Sequence, residues 1–83
     1  MISEHNQRVA DRAKAIYDGR LRAELELQHR DKYVAIEPDS GDHFLAESFG
    51  QAVAAAQSSH PGRISFVVHI GHQAAIHIGG MAN

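Results

Sequence analysis

The alternation from Arg63 to Ile78 limits what this chain can fold into more than any other feature. Ile64, Phe66, Val68 and Ile70 are separated by Ser65, Val67 and His69; Gly71-His72-Gln73 follows, and Ala74, Ile76 and Ile78 alternate again. Neighbouring side chains of a strand point to opposite faces, so a period of two marks a half-buried hairpin. A three-residue loop at 71–73 puts all seven apolar residues on one face. In that register His69 and His77 project from the other face as diagonal neighbours.

A second hairpin precedes it. Tyr33 to Glu37 has strand composition, Pro38-Asp39-Ser40-Gly41 has turn chemistry, and Asp42 to Ala46 returns. Proline presets its own φ, Asp39 and Ser40 tolerate a turn, and Gly41 accepts positive φ at the loop end. A four-residue loop pairs Glu37 with Asp42. Val34, Ile36, His43 and Leu45 then share one face, and Tyr33, Ala35, Phe44 and Ala46 the other.

Two helices complete the pattern. Ser3 is a candidate N-cap, Glu4 suits the positive helix end, and Val9, Ala13, Ile16 and Tyr17 recur at helical spacing. Glu4–Arg8 and Asp18–Arg22 are acid-before-base pairs four apart. Gly19 weakens the helix, and Leu21 and Leu25 are expected to drift off the Val9 stripe, so helix is predicted to about Arg22. Ser48-Phe49-Gly50-Gln51 fits a capping box. It opens a helix with Phe49, Ala52, Val53 and Ala56 on one side, stopped by His60-Pro61-Gly62.

The order α-β-β-α-β-β predicts an α+β domain with a four-stranded antiparallel sheet. The simplest spatial order places the first hairpin's opening strand beside strand 63–70, with strands 42–46 and 74–78 at the edges. The expected division is an N-terminal helix and connection over 1–30, a ββαββ core over 33–80 and a flexible tail over 79–83. The second helix is expected to cover the Ile/Phe/Val face. The opposite face carries Tyr33, Ala35, Phe44, Ala46, Val67 and Ala75 with His69 and His77, too apolar to be left to water. Either the first helix covers it, or another chain does.

With 83 residues the chain has room for one core and buries only about 60–65 % of its unfolded surface. Self-association, as in a homodimer, is a natural supplement. The absence of cysteine excludes disulfides and thiolate metal sites. A net charge of −2 argues against bulk nucleic-acid binding. The seven bases in residues 1–32 are interleaved with six acids, which is the pattern of a solvated helix face. Met1-Ile2-Ser3-Glu4-His5 has no signal-peptide character and no stretch suits a membrane span, so a cytoplasmic protein is expected.

Seven histidines are the compositional anomaly. His69 and His77 supply half of a possible zinc site, and His72 in the turn is the best third ligand; His43, roughly 14 Å from His77, is too far. Surface histidines titrating near neutral pH are the competing reading. Catalysis has little support. No serine lies in a nucleophile elbow, Ser48 reads as a cap and Ser40 as a turn residue, and Glu37, Asp39 and Asp42 read as solvated turn carboxylates. No cofactor fingerprint is present.

Arg20-Leu21-Arg22, the run Tyr33-Val34-Ala35-Ile36-Glu37-Pro38-Asp39-Ser40-Gly41-Asp42, and Ile70-Gly71-His72 with Ile78-Gly79-Gly80 resemble a family of short uncharacterised bacterial proteins. Its members are often encoded beside retropepsin-like aspartic proteases, which implies a partner protein rather than an enzyme. The hairpin followed by Ser48-x-x-x-Ala52-x-x-x-Ala56 is similar to the hairpin-helix of HicB-like antitoxins. The expected function is therefore a non-enzymatic protein-interaction module, docking a partner or itself through Tyr33, Phe44, Val67, His69 and His77. The alternative is a metal or small-ligand site on His69, His72 and His77.

Overall fold

In the computed structural model residues 4–72 and 76–79 are described, residues 4–7, 9 and 76–79 by their backbone only. The expectations for Ser3, for the Glu4 and Val9 side chains, for Ala74, Ala75 and the Ile76, His77 and Ile78 side chains, and for 80–83 lie outside the described residues. The chain is α+β with an antiparallel sheet. Its first helix comprises α1 (Glu4–Ile16), a wide π-turn (Tyr17–Leu21) and α2 (Arg22–Gln28). Strands β1 (Tyr33–Glu37) and β2 (Asp42–Ala46), helix α3 (Phe49–Ser59), β3 (Ser65–His69) and β4 (Ile76–Gly79) follow. β1 is central, flanked by β2 and β3, and the β4 backbone pairs with the far side of β3.

The first hairpin has the register its turn chemistry predicts, with Glu37 opposite Asp42. Gly41, at φ 80°, donates its N–H to the Glu37 carbonyl at 2.8 Å. α3 is capped by Ser48, whose hydroxyl accepts from the Gln51 N–H at 3.2 Å.

The helices cover the sheet the other way round from the sequence expectation. Ala13, Tyr17, Leu21 and Leu25 of the first helix pack on Val34, Ile36, Phe66, Val68 and Ile70. Ala52 and Ala56 of α3 pack on Ala35 and Val67, with Tyr33, Phe44, Ala46 and Val53 around them. The result is three layers: helix, sheet, helix. Volume explains the assignment. The small side chains of α3 meet the small-residue face at close range, and the large residues of the first helix fill the space over Ile36 and Phe66.

Leu21 and Leu25 also correct the sequence reading, because both are buried in the first-helix core. In an α-helix each step of four residues overshoots a full turn by ~40°, so Ala13, Tyr17, Leu21 and Leu25 would spiral off the sheet. The π-turn supplies the remedy. The Arg22 N–H donates to the Tyr17 carbonyl, an i→i+5 bond, so four residues there span less than one turn. The drift is reversed once and the leucines return to the sheet. Burial pushes the Tyr17 phenol pKa up, and the neighbouring Glu26 adds to the shift.

Gly19 sits in this turn, exposed, with nothing within 4 Å of the position a Cβ would take. Gly19→Ala is expected to stabilise the fold by about 0.5–1 kcal/mol, mainly by restricting the unfolded chain. Thermal denaturation should then show a midpoint higher by several degrees. An unchanged or lower midpoint would mean that the wide turn needs glycine's backbone freedom.

Candidate functional site

The α2–β1 connection and the turn after β3 meet at one end of the sheet. β1 and β3 are antiparallel with Tyr33 opposite His69, so residues just before Tyr33 lie beside those just after His69. Two backbone bonds extend the ladder: the Asp31 N–H donates to the Ile70 carbonyl at 2.9 Å, and the Ile70 N–H donates to the Lys32 carbonyl at 2.8 Å. Asp31 adopts φ 76°, the left-handed region that aspartate enters more readily than most residues. Gly71, at φ 84°, turns the facing segment, and the His72 N–H donates to the His69 carbonyl at 3.1 Å.

This backbone brings four side chains together. The Tyr33 and His69 rings stack at 4.3 Å between centroids and 4° between planes. The His72 ring stacks on His69 at 3.7 Å and 10°. The His72 Nε2 lies 2.7 Å from the Asp31 Oδ1. One donor atom from each of Asp31, His69 and His72 falls within 4.8 Å of the other two.

Two imidazoles and a carboxylate suit zinc and its first-row neighbours, and lack the oxygen-rich character that calcium or magnesium prefers. Zinc places such donors about 2.0–2.2 Å from the metal, hence roughly 3.3 Å apart in a tetrahedral shell. The His72–Asp31 pair, at 2.7 Å, therefore has to open slightly, and the three donors have to settle at that common spacing. The parallel rings also prevent one ion from lying in both planes at once. His72 must swing off the stack to bind, and its side chain, 48 % exposed, has space to do so, as does Asp31 at 74 %.

Of the three histidines singled out in the sequence, His69 and His72 are brought together here. His77 stands opposite Val67 in the β3–β4 pairing, and its side chain lies outside the described residues. Asp31 was missed as a ligand because it belongs to the interleaved charges of residues 1–32, which read as a solvated helix face. Its signal was positional: pairing the two inner strands places residue 31 next to the turn at 71.

The expected docking face is not free. Val67 is fully buried beneath α3, and Tyr33, Phe44 and His69 are partly buried along that face. The chain's own second helix does what a partner or the first helix was expected to do. Leu27, 83 % exposed, stands out on α2, but a single apolar side chain in water is ordinary.

At the β1–β2 turn, Asp39 and Asp42 are solvent-exposed as expected, whereas Glu37 is buried. Its carboxylate accepts the Asp39 N–H at 3.1 Å on Oε2 and the Ser40 N–H at 2.9 Å on Oε1, with the Arg63 Nη1 at 3.7 Å. Burial alone would raise its pKa. The Ser40 hydroxyl, the Ser40 and Asp39 amides and Arg63 outweigh that and hold it below its ordinary value. Asp39 bridges Arg12 at 3.3 Å and Arg63 at 3.1 Å, tying the first helix to the segment before β3.

Ser40, His60 and Asp42 superficially suggest a catalytic triad. The Ser40 Oγ is 3.4 Å and the Asp42 Oδ2 2.8 Å from the same nitrogen, His60 Nε2. A relay needs serine and acid on opposite ring nitrogens, so this contact braces the turn against the end of α3. Among the described residues no helix is long and apolar enough to cross a membrane. No protein-family model, curated protein or solved structure matches the chain, so a functional reading rests on the geometry of its own residues.

Proposed function

We propose that this chain is a small non-enzymatic binding protein that takes a divalent first-row transition-metal ion at Asp31, His69 and His72. The observation that carries the reading is the convergence of three metal-ligating donors within 4.8 Å, one from the α2–β1 connection and two from the end of β3 and the turn after it. Two backbone hydrogen bonds hold those segments together, so much of the entropic cost of gathering the ligands is met by the fold itself.

Zinc titration followed by calorimetry and by histidine ring NMR tests it. Binding one ion should shift the His69 and His72 ring signals and alter those of Tyr33, because the ring stack has to open. Asp31→Asn and His72→Ala should each weaken affinity at least tenfold. Zinc at one hundred times its dissociation constant should stabilise the fold by about 2.7 kcal/mol. Unmoved His69 and His72 signals at millimolar zinc would sink the proposal.

A further inference from the structure

Arg30 directly precedes the ligand Asp31 and has no ion-pair partner among the described residues. Its side chain lies against Gly71: a Cβ built on that glycine would sit 2.8 Å from the Arg30 Cγ and 3.1 Å from its Nη1. A residue with a side chain at position 71 would displace it. The close approach places a guanidinium beside the backbone of the turn immediately before His72.

Three protein donors leave one position of a four-coordinate ion open, and more on a six-coordinate one. An ion of charge +2 bound here meets a single ligand carboxylate, Asp31, and the Arg30 guanidinium lies close by against Gly71, so the loaded corner keeps a surplus of positive charge. Water can fill the open position but cannot neutralise that surplus. An oxyanion can do both, and the planar guanidinium fork is matched to carboxylate and phosphate oxygens. We propose that the metal-loaded corner captures a small oxyanion, one oxygen on the ion and a second on the Arg30 guanidinium. The inference rests on the metal-binding reading above and extends it from an ion site to a two-component ligand site.

The cobalt(II)-loaded full chain tests both levels, because the visible spectrum of cobalt reports its coordination shell. The chain should first give a saturable cobalt spectrum. Acetate and inorganic phosphate, titrated separately, should then change it with one-to-one saturation, and the tighter binder identifies the class of oxyanion. Arg30→Gln should raise the anion dissociation constant at least tenfold while cobalt affinity stays within about twofold, which also shows that the variant is folded. Arg30→Lys, which keeps charge but loses the fork, should fall between. Absence of a cobalt spectrum overturns both the ion site and the oxyanion. A cobalt spectrum that neither anion perturbs, or an anion affinity unchanged in Arg30→Gln, overturns the oxyanion alone.

Discussion

Phe66→Ala is expected to destabilise the fold by about 3–5 kcal/mol, the range for truncating a fully buried phenylalanine. Phe66 is inaccessible to solvent, sits between Ile36 of β1 and the β4 backbone in the sheet, and belongs to the core filled by Tyr17, Leu21 and Leu25. A chain of this length has a total stability of roughly 4–12 kcal/mol, so the loss is a large part of the whole. Urea denaturation should show a midpoint shifted strongly downward, with the least stable outcome a chain unfolded in buffer. Phe66→Leu, which keeps most of the volume, should cost clearly less. A loss under about 1 kcal/mol for the alanine variant would mean that the first helix does not close this face in solution.

The contrast between what patterning revealed and what it concealed follows from the kind of constraint involved. Hairpin register is local: Pro38 to Gly41 determine it within a few residues, and Glu37 opposite Asp42 was legible. Which helix covers which face is not local. α3 joins β2 to β3, which run parallel with β1 between them, and such crossovers are nearly always right-handed, a rule of chain geometry that hydrophobic periodicity does not carry. The side-chain volumes offered a second clue, with small residues on α3 and on the face of Ala35 and Val67.

The buried Leu21 and Leu25 had a signature as well. Ala13, Tyr17, Leu21 and Leu25 repeat at intervals of four, longer than the 3.6 of an α-helix, and only a locally widened helix keeps such a repeat on one side. Within the candidate site, His69 and His72 were visible as histidines on and beside a strand. Asp31 became a ligand only through pairing between β1 and β3. The ring stack involving Tyr33 depends on side-chain conformations that no spacing specifies.

Glu37 shows the same point in energetic form and yields the second large effect. Alternation along β1 places it with Tyr33 and Ala35, facing α3, yet a glutamate beside a turn reads as solvated. The turn's own amides reverse that reading, because two N–H groups converge on the two carboxylate oxygens. Glu37→Gln keeps the shape but offers one oxygen and one NH2, so one amide is left facing a donor. With the Arg63 counter-charge also lost, the expected cost is about 1.5–3 kcal/mol, the range for a hydrogen bond to a charged group.

The sign of the pH dependence separates charge from shape. The folded-state pKa of Glu37 is lowered, so the unfolded chain takes up a proton first as pH falls. Its stabilising contribution is complete above the unfolded value of about 4.3 and is lost as pH drops through the lower folded value. Chemical denaturation at stepped pH should show wild type and Glu37→Gln furthest apart near neutrality and converging below about pH 4. A gap that stays constant down to pH 3 would assign the effect to packing alone and remove the carboxylate from the account of how this turn is held.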